Sequence, residues 1–551
     1  MKSISVCGAA ALAAVLVAAS PLTASAGDRA SAALTGQVSS DAEATMEGVV
    51  VTAHNDGSIV SVSVTTDAKG RYAFPENRLE PGHYTLAIRA VGYDLAAPAA
   101  VDIAAEDPVV ANLTLVPTKN LPDQLTNAEW MMSIPGTPEE KAMLLDCTSC
   151  HTLERIVSST HNADEWTQVI TRMKGYGQVS QPIKPQPMLD TARAGTPEQY
   201  RKLAEYLATI NRSAADHWSY PLKTLPRPTG ASTRAIVTEY ALPRPTIEPH
   251  DVVLDKDGNV WYSDFGELFI SKFDPKTLKL SEYPVKDFKP GAPVGNLSLA
   301  FDKDGMLWFD TMYQGALGSV DPTTGAIQYY PLPPQWNDNR TQLNFVGLRH
   351  DVDGKVWTKN VGTQDIFRLD LASGQWQRLH PTDSLPPGRR YSIYQVISDS
   401  KNNLWLAEFA DGHLGKIDAK TLQVTWYTPP TPHARLRRME IDDRDRITVA
   451  EYRGNKVAVF DPATGQFTEY AMPPDTFPYR AEFDKNGALW VSTMHTDRVV
   501  RLDPNTGKTA QYLMPSDTNM RTVYLDNTTT PVTFWVGSNH DAALVKVEPL
   551  E

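Results

Sequence analysis

The sequence predicts a multidomain, mainly β protein with an N-terminal β-sandwich, a small all-α domain and a C-terminal seven-bladed β-propeller. Three patterns predict this class. Apolar residues alternate with period two over residues 34–118, recur every three or four residues over 119–213, and fall into seven repeats over 235–551. Residues 214–234 form a polar, proline-bearing linker. A chain of 551 residues also exceeds what one hydrophobic core usually holds.

Composition and charge exclude several classes of function. Apolar residues make up 41% of the chain and charged residues 21%, which is typical of a folded protein in water. The net charge is −13 and the cations are scattered, so no nucleic-acid partner is expected, because phosphate binding needs clustered Lys and Arg. No segment has the roughly 20 consecutive apolar residues of a membrane helix, so no membrane span is expected.

Residues 1–26 have the pattern of a cleaved signal peptide. Lys2 supplies the positive start, residues 6–18 are apolar, and Ala24-Ser25-Ala26 is a small-residue cleavage site. We therefore expect a periplasmic or secreted protein.

The pentapeptide Cys147-Thr148-Ser149-Cys150-His151 is the most specific motif in the chain. A Cys-x-x-Cys-His motif attaches haem c, because both thiolates add to the porphyrin and the adjacent His reaches the iron. A thioredoxin-like pair would follow a strand, and a zinc site would need a second pair of ligands. The motif therefore predicts one covalent haem c, with His151 as the proximal iron ligand.

The second axial ligand of that iron is expected within the same helical region. The candidates from the residue types are Met173, Met188, His161 and Met143. The region resembles the short c-type cytochromes that accept electrons from periplasmic dehydrogenases, in which a Trp is followed, after six residues, by the ligating Met. Trp166 carries this resemblance, which implies Met173 as the ligand. Met188, which lies shortly before the last predicted helix, is the alternative.

The N-terminal strand region resembles the carboxypeptidase regulatory-like domain. Residues 66–74, 79–84 and 90–93 carry this resemblance, and the first of these segments corresponds to the hairpin of that family. The resemblance implies an antiparallel sandwich with an accessory role as a spacer or docking module. No cluster of titratable residues in this region suggests chemistry.

The C-terminal repeats have a common plan. Each combines an Asp-Lys-Asp-Gly-like turn, a strand with a central marker residue, and a strand that ends near Glu-Tyr-x-x-Pro. The marker residues lie 42 to 49 residues apart, at Trp261, Trp308, Trp357, Trp405, Thr448, Trp490 and Trp535. Seven four-stranded units of this length indicate a β-propeller. The last repeat lacks one strand, so we expect residues 235–242 to complete it and close the ring.

The propeller resembles the virginiamycin B lyase (streptogramin lyase) family through Glu248-Pro249-His250 and residues 260–264. In that family the motif supplies a metal-binding Glu and a catalytic His that open a lactone by elimination. The resemblance therefore implies a divalent metal at Glu248 and a catalytic His250. Arg521 stands where the family has its second catalytic His, and Phe265 stands where it has a further acid. Elimination needs both a base and an acid, so half of the set is matched.

Other residues are expected to face the propeller channel. The inner-strand positions equivalent to His250 are Leu297, Val346, Tyr394, Arg437, Tyr479 and Arg521. Arg437 and Arg521 are suited to a carboxylate or another anion. A channel site for a polar small molecule or a metal is predicted from Asp264, Tyr394, Glu408, Arg437, Glu451 and Tyr479. The alternative is that these side chains only form a solvated lining.

The favoured hypothesis from the sequence is an exported haem c protein that transfers electrons. It would act as an oxidoreductase or a dehydrogenase-linked cytochrome, with a small molecule or a protein as electron donor and acceptor. One alternative is a non-catalytic docking cytochrome for a partner dehydrogenase. The other is a virginiamycin B lyase-like C–O lyase that acts on a lactone or an ester.

Overall fold

The computed structural model describes residues 32–104, 108–149, 151–189, 195–213, 217–539 and 541–550. The predicted signal peptide and Cys150 lie outside these residues. Within them, no helix has the length and apolar character needed to cross a bilayer. The predicted N-terminal sandwich and C-terminal propeller are confirmed.

The N-terminal region forms two packed sheets. Its strands are β1 (Ala32–Ser40), β2 (Val50–Asn55), β3 (Val60–Thr65), β4 (Arg71–Pro75), β5 (Gly82–Arg89), β6 (Tyr93–Leu95), β7 (Ala99–Ile103), β8 (Val109–Val110) and β9 (Leu113–Pro117). One sheet has the order β4-β1-β9-β6, and the other contains β3-β2-β5-β7. The alternating apolar side chains meet between them, with Leu34, Val51 and Phe74 fully buried. The pairing is not wholly antiparallel as expected, because β1 runs parallel to β8 and β9.

A segment of short helices follows the sandwich. Its helices are α1 (Asn127–Ser133), α2 (Pro138–Ala142), α3 (Glu154–Val157), α4 (Ala163–Gly175) and α5 (Pro197–Ile210), with a 3-10 helix over Met143–Ser149. The N-terminal ends of α1, α2, α4 and α5 are fixed by capping boxes at Thr126, Thr137, Asn162 and Thr196.

The predicted separate all-α cytochrome domain is not supported, because the hydrophobic core of this helical segment continues into the propeller. Trp166 and Leu207 belong to the same hydrophobic cluster as Tyr452, Tyr479 and Met494 of the propeller. The helices therefore pack on the propeller.

The propeller has seven four-stranded blades. The strand completing the last blade comes first, β10 (Ala235–Ala241). Blade one contains β11 (Pro249–Leu254), β12 (Val260–Asp264), β13 (Phe269–Asp274) and β14 (Lys279–Pro284). Blade two contains β15 (Leu299–Phe301), β16 (Leu307–Asp310), β17 (Ala316–Val320) and β18 (Ile327–Pro331). Blade three contains β19 (Leu343–Leu348), the short helix α6 (His350–Asp353), β20 (Lys355–Asn360), β21 (Asp365–Asp370) and β22 (Trp376–Leu379). Blades four and five contain β23 (Ile393–Ser398), β24 (Leu404–Glu408), β25 (Leu414–Ile417) and β26 (Val424–Tyr427); and β27 (Leu436–Ile441), β28 (Ile447–Glu451), β29 (Lys456–Asp461) and β30 (Gln466–Ala471). Blades six and seven contain β31 (Pro478–Phe483), β32 (Leu489–Thr493), β33 (Arg498–Leu502) and β34 (Thr509–Leu513); and β35 (Val523–Asp526), β36 (Thr533–Ser538) and β37 (Ala543–Pro549).

The repeated Asp turn and the marker Trp are joined by a hydrogen bond. The indole Nε1 of Trp261 donates to Asp255, six residues earlier, at 3.0 Å. The same bond joins Trp308 to Asp302 at 2.7 Å and Trp490 to Asp484 at 2.8 Å. The turn therefore fixes the buried Trp, which explains why both recur in the sequence.

The predicted ring closure is confirmed, and the structure extends it. β10 pairs with β37 along seven residues and completes the seventh blade. The other edge of β10 pairs with β3 of the sandwich, from Ile236 opposite Val64 to Tyr240 opposite Val60. A single eight-stranded sheet therefore runs from the seventh blade into the sandwich.

Candidate active site

A cavity of about 620 Å³ lies at one end of the propeller channel, beneath the helical segment. Every blade contributes to its wall, and the helical segment covers it with Leu145, Asp146, Lys174, Gln178 and Leu189. The blade residues that carry the argument below are His250, Phe345, Lys359, Tyr394, Arg437, Tyr479 and Arg521.

Bulges in the inner strands present these side chains to the cavity. The register of β19 shifts between Asn344 and Val346, and Phe345 has φ = 66°. Phe345 therefore lines the cavity, whereas the sequence predicted its neighbour Val346. Similar register shifts occur where Tyr394 and Tyr479 leave their strands. A bulge adds one unpaired residue to a strand and can turn its side chain toward a site.

His250 lines the cavity and forms a chain of hydrogen bonds with two residues that sequence reasoning missed. Its Nδ1 lies 2.7 Å from Oδ1 of Asp251. Arg438 donates to both oxygens of that carboxylate, at 2.9 and 2.8 Å. Because an ionised carboxylate only accepts, Nδ1 of His250 carries the proton and Nε2 keeps its lone pair. The arrangement suits His250 to act as a base.

The electrostatics keep this pair in the form that a base requires. Burial lowers the pKa of His250 to about 4, against the opposing effect of Asp251, so the imidazole is neutral near pH 7. Burial would raise the pKa of Asp251, but Arg438 and the hydrogen bond from His250 hold it at about 2. The only sequence signal for this arrangement was the adjacency of an Asp to the recognised His.

Arg437 also lines the cavity and lies in a box of aromatic rings. Its guanidinium carbon is 3.9 Å from the ring centre of Tyr452, 5.1 Å from that of Tyr394 and 5.2 Å from that of Tyr479. Its Nη1 donates to the hydroxyl of Tyr394 at 3.2 Å, and that hydroxyl donates to Tyr479 at 3.0 Å. Burial would raise the pKa of Tyr479, but nearby guanidinium groups, including that of Arg521, outweigh burial and lower it.

Lys359 adds a further cation to this region. Its side chain is 97% buried, and Nζ donates to the carbonyl oxygen of Ile393 at 2.6 Å. Burial and the neighbouring Arg438 lower its pKa to about 7. Sequence reasoning missed this residue because it lies on β20, the second strand of its blade.

The acidic residues predicted for the channel site lie apart from the cavity lining. The carboxylate of Glu408 accepts backbone N–H groups of its own loop, including those of Asp411 and Gly412. Glu451 faces Glu469, and burial together with that charge raises its pKa to about 8. Asp264 accepts the N–H groups of Glu248 and Gly266, and burial, with help from Glu267, raises its pKa to about 7.

A divalent metal at Glu248 stays a prediction. Glu248 is 95% buried, and Asp264 accepts its N–H at 3.3 Å. Among the residues that the structure describes, no group of three or more His, Cys, Asp or Glu side chains is placed to hold a metal ion.

The predicted haem residues lie next to the cavity cover. Cys147 and His151 are partly buried, and the Nδ1 of His151 donates to the carbonyl oxygen of Thr152 at 3.0 Å, so Nε2 keeps its lone pair. Met173 and Met188 are 40% and 52% exposed. His151 therefore has the hydrogen bond usual for a metal-ligating His, while neither Met is held in an apolar pocket. Covalent haem at this motif stays a prediction.

Two family models match parts of the chain. The carboxypeptidase regulatory-like domain matches residues 33–116, and the virginiamycin B lyase family matches residues 232–435. No curated protein matches the chain.

Lyase propellers are among the similar solved structures. A streptogramin B lyase structure has 20% sequence identity and a TM-score of 0.50, and the match covers 58% of this chain and 100% of that one. A virginiamycin B lyase from Staphylococcus aureus has 20% identity and a TM-score of 0.49, with 57% and 100% covered. At this identity the likeness shows the fold alone.

The hypothesis of electron transfer through haem c is wrong. Neither family model covers the helical segment with the Cys-x-x-Cys-His motif, and the larger match is to a lyase family. The helical segment packs as a cover on the propeller and not as a separate cytochrome. The expected electron donor and acceptor are therefore unsupported, and the C–O lyase alternative fits better. The chain combines a carboxypeptidase regulatory-like domain with a virginiamycin B lyase-like propeller.

Proposed function

We propose that the protein is a C–O lyase that cleaves a lactone or an ester by elimination in the propeller channel. The observation that carries this proposal is the row formed by His250, Asp251 and Arg438, in which His250 lines the cavity. Two further cations, Arg437 and Arg521, line the same cavity. The match of residues 232–435 to the virginiamycin B lyase family supports the same reaction class.

Each group in this arrangement has a role in the reaction. Nε2 of His250 removes a proton from the carbon next to the one that bears the ester oxygen. The electrons of that C–H bond form a C=C bond, the C–O bond breaks, and the oxygen leaves as a carboxylate. The proton then passes from His250 to that carboxylate, and no water is consumed. Asp251 stabilises the imidazolium that forms in between.

The leaving group develops negative charge where the cavity supplies positive charge. Arg437 and Arg521 line the wall together with Tyr479. Fixed cations in a cavity shielded from water stabilise a developing carboxylate more strongly than water does. We assign this role to Arg521, which stands where the lyase family has its second catalytic His.

A ring-opening assay tests this proposal. The protein is incubated with a streptogramin B-type cyclic depsipeptide and with small lactones and esters, and the new C=C bond is followed by absorbance and NMR. We expect turnover of at least one of them and a loss of about 10²- to 10⁴-fold in His250→Ala. His83→Ala is the matched control, because His83 lies exposed on the sandwich. Equal rates for His250→Ala and the control would contradict the proposal.

We also propose that the chain is exported, with residues 1–26 removed as a signal peptide. N-terminal sequencing of the protein from the extracytoplasmic fraction tests this. We expect a start at Gly27, and an intact Met1 in a protein confined to the cytoplasm would contradict it.

A further inference from the structure

Several buried cations lie at or next to the cavity, and one of them, Arg437, has no carboxylate within ion-pair distance among the described residues. Lys359, Arg437, Arg438 and Arg521 are all at least 96% buried. Arg438 is paired with Asp251. Nη1 of Arg437, by contrast, donates only to uncharged groups, the Tyr394 hydroxyl and Sδ of Met494 at 2.9 Å. Its Nε is buried and has no hydrogen-bond partner among the described residues.

This arrangement is costly for an empty site. Burying a cation without a paired anion is unfavourable, because the charge loses its hydration. Aromatic faces recover only part of that loss. The carboxylate of Asp146, at the cavity wall, also attracts Arg437, but it is 61% exposed and lies 3.7 Å from Arg435. An anionic ligand would supply the missing charge, and a planar carboxylate matches the two-pronged geometry of a guanidinium.

The cover of the cavity limits the size of that ligand. The helical segment is tied to the first blade by Lys184 to Glu267 at 2.9 Å and by Gln186 to the carbonyl oxygen of Gly266 at 3.0 Å. The whole streptogramin B lyase chain is matched by 58% of this chain, about the length of the propeller, so the cover is additional to that fold. The space left beneath it, about 620 Å³, is that of a small-molecule site.

We propose that the covered cavity selects a small substrate that carries a carboxylate besides its scissile ester, and that Arg437 anchors this second carboxylate. The aromatic walls favour a flat or apolar body next to it. The assignment of the ester rests on the proposed function, whereas the anion subsite stands on the buried charge alone.

Binding of a matched pair of probes to the full chain tests this inference. Benzoate and benzamide have nearly the same shape and differ in charge, so titration calorimetry with both isolates the contribution of the carboxylate. We expect benzoate to bind at least tenfold more tightly than benzamide. The inference would be overturned if benzoate bound the wild-type protein no more tightly than benzamide. It would also be overturned if benzoate showed no binding at millimolar concentration.

A variant then identifies the anchor. Arg437→Met removes the charge and keeps much of the volume, and we expect it to weaken benzoate binding at least tenfold while benzamide binding changes less than twofold. Arg444→Met, on an exposed propeller turn, is the matched control and should bind benzoate as the wild type does. Unchanged benzoate binding in a folded Arg437→Met protein would overturn the assignment of Arg437.

The two proposals fail separately. His250→Ala should lose ring opening and still distinguish benzoate from benzamide. If benzoate is selected but no lactone or ester is opened, the anion subsite stands and the lyase proposal falls. If esters are opened equally well with and without a second carboxylate, the lyase stands and this inference falls.

Discussion

At the scale of single residues, Asp251 determines which nitrogen of His250 is available to a substrate. Its carboxylate fixes the Nδ1–H form and is itself held by two hydrogen bonds from Arg438. We expect Asp251→Asn to lower kcat for ring opening by about 10²- to 10⁴-fold with a smaller change in KM, because an amide can favour the wrong tautomer. Steady-state kinetics check this.

The same substitution leaves Arg438 without its counterion, which is expected to cost about 3–5 kcal/mol of the free energy of unfolding. The double variant Asp251→Asn/Arg438→Met should therefore recover stability in urea denaturation without recovering activity. Recovery of both would contradict a positioning role for Asp251.

The pH profile of ring opening follows from two buried groups. The pKa of His250 is about 4, so protonation removes the base only below that pH. The pKa of Lys359 is about 7, lowered by burial and Arg438 and opposed by Asp310, so the site loses a positive charge above that pH. We expect kcat/KM to fall on the acid side near pH 4 and on the alkaline side near pH 7. If kcat/KM instead fell on the acid side near pH 6.5, the ordinary pKa of an imidazole, the catalytic base would be a group other than His250.

The cysteine motif has a test of its own. If haem c is attached at Cys147 and Cys150, the intact mass of the exported protein exceeds that of the polypeptide by one haem. Two free thiols and no added mass would contradict that prediction.

At the scale of elements, Arg89 at the end of β5 links the sandwich to the sixth blade. It donates to Asp497 at 2.7 Å and Asp517 at 3.0 Å, and to the carbonyl oxygen of Met514 at 2.9 Å. We expect Arg89→Met to lower the free energy of unfolding by about 3–5 kcal/mol, because it leaves the buried carboxylate of Asp497 without its cation.

The control for this link is Arg71→Met, because Arg71 pairs with Asp67 on the surface and is 50% exposed. An exposed pair contributes about 0–1 kcal/mol. Urea denaturation compares the two variants, and equal losses of stability would contradict the account of Arg89.

At the scale of the whole molecule, one sheet and one hydrophobic cluster join the parts of the chain. β10 is hydrogen-bonded on both edges, so Val237 lies opposite Val547 of the propeller and Ser63 of the sandwich. A proline in such a central strand removes a hydrogen bond of the ladder. We expect calorimetry to show one unfolding transition, shifted to lower temperature in Val237→Pro and much less in Val237→Ala. Two separate transitions, with the sandwich unaffected, would contradict this coupling.

Local patterns in the sequence predicted most of the architecture. The Asp turns and marker Trp residues recur because four blades use the same hydrogen bond between them. The spare strand before Glu248 predicted the closure of the ring. The pairing of β10 with β3 had no such signal, since an edge strand offers the same backbone groups to any partner.

The site was predicted only in part because it depends on contacts between distant residues. His250 carried a recognisable motif, and Tyr394, Arg437, Tyr479 and Arg521 followed from the repeat. The pairing of Asp251 with Arg438 spans 187 residues, and the bulge that exposes Phe345 shifts a strand by one position. Neither the pairing nor the bulge produces a periodic pattern in the sequence. The position of the helices over the channel depends on how their surfaces fit the propeller, and the sequence of the linker does not determine that fit.

The fate of water during ring opening tests the central claim most directly. Elimination driven by His250 uses no water, whereas hydrolysis adds one oxygen to the product. The reaction is run in ¹⁸O-labelled water and the product is measured by mass spectrometry. We predict a product with the mass of the substrate, no ¹⁸O and a new C=C bond. A product heavier by one labelled water would show hydrolysis and contradict the account.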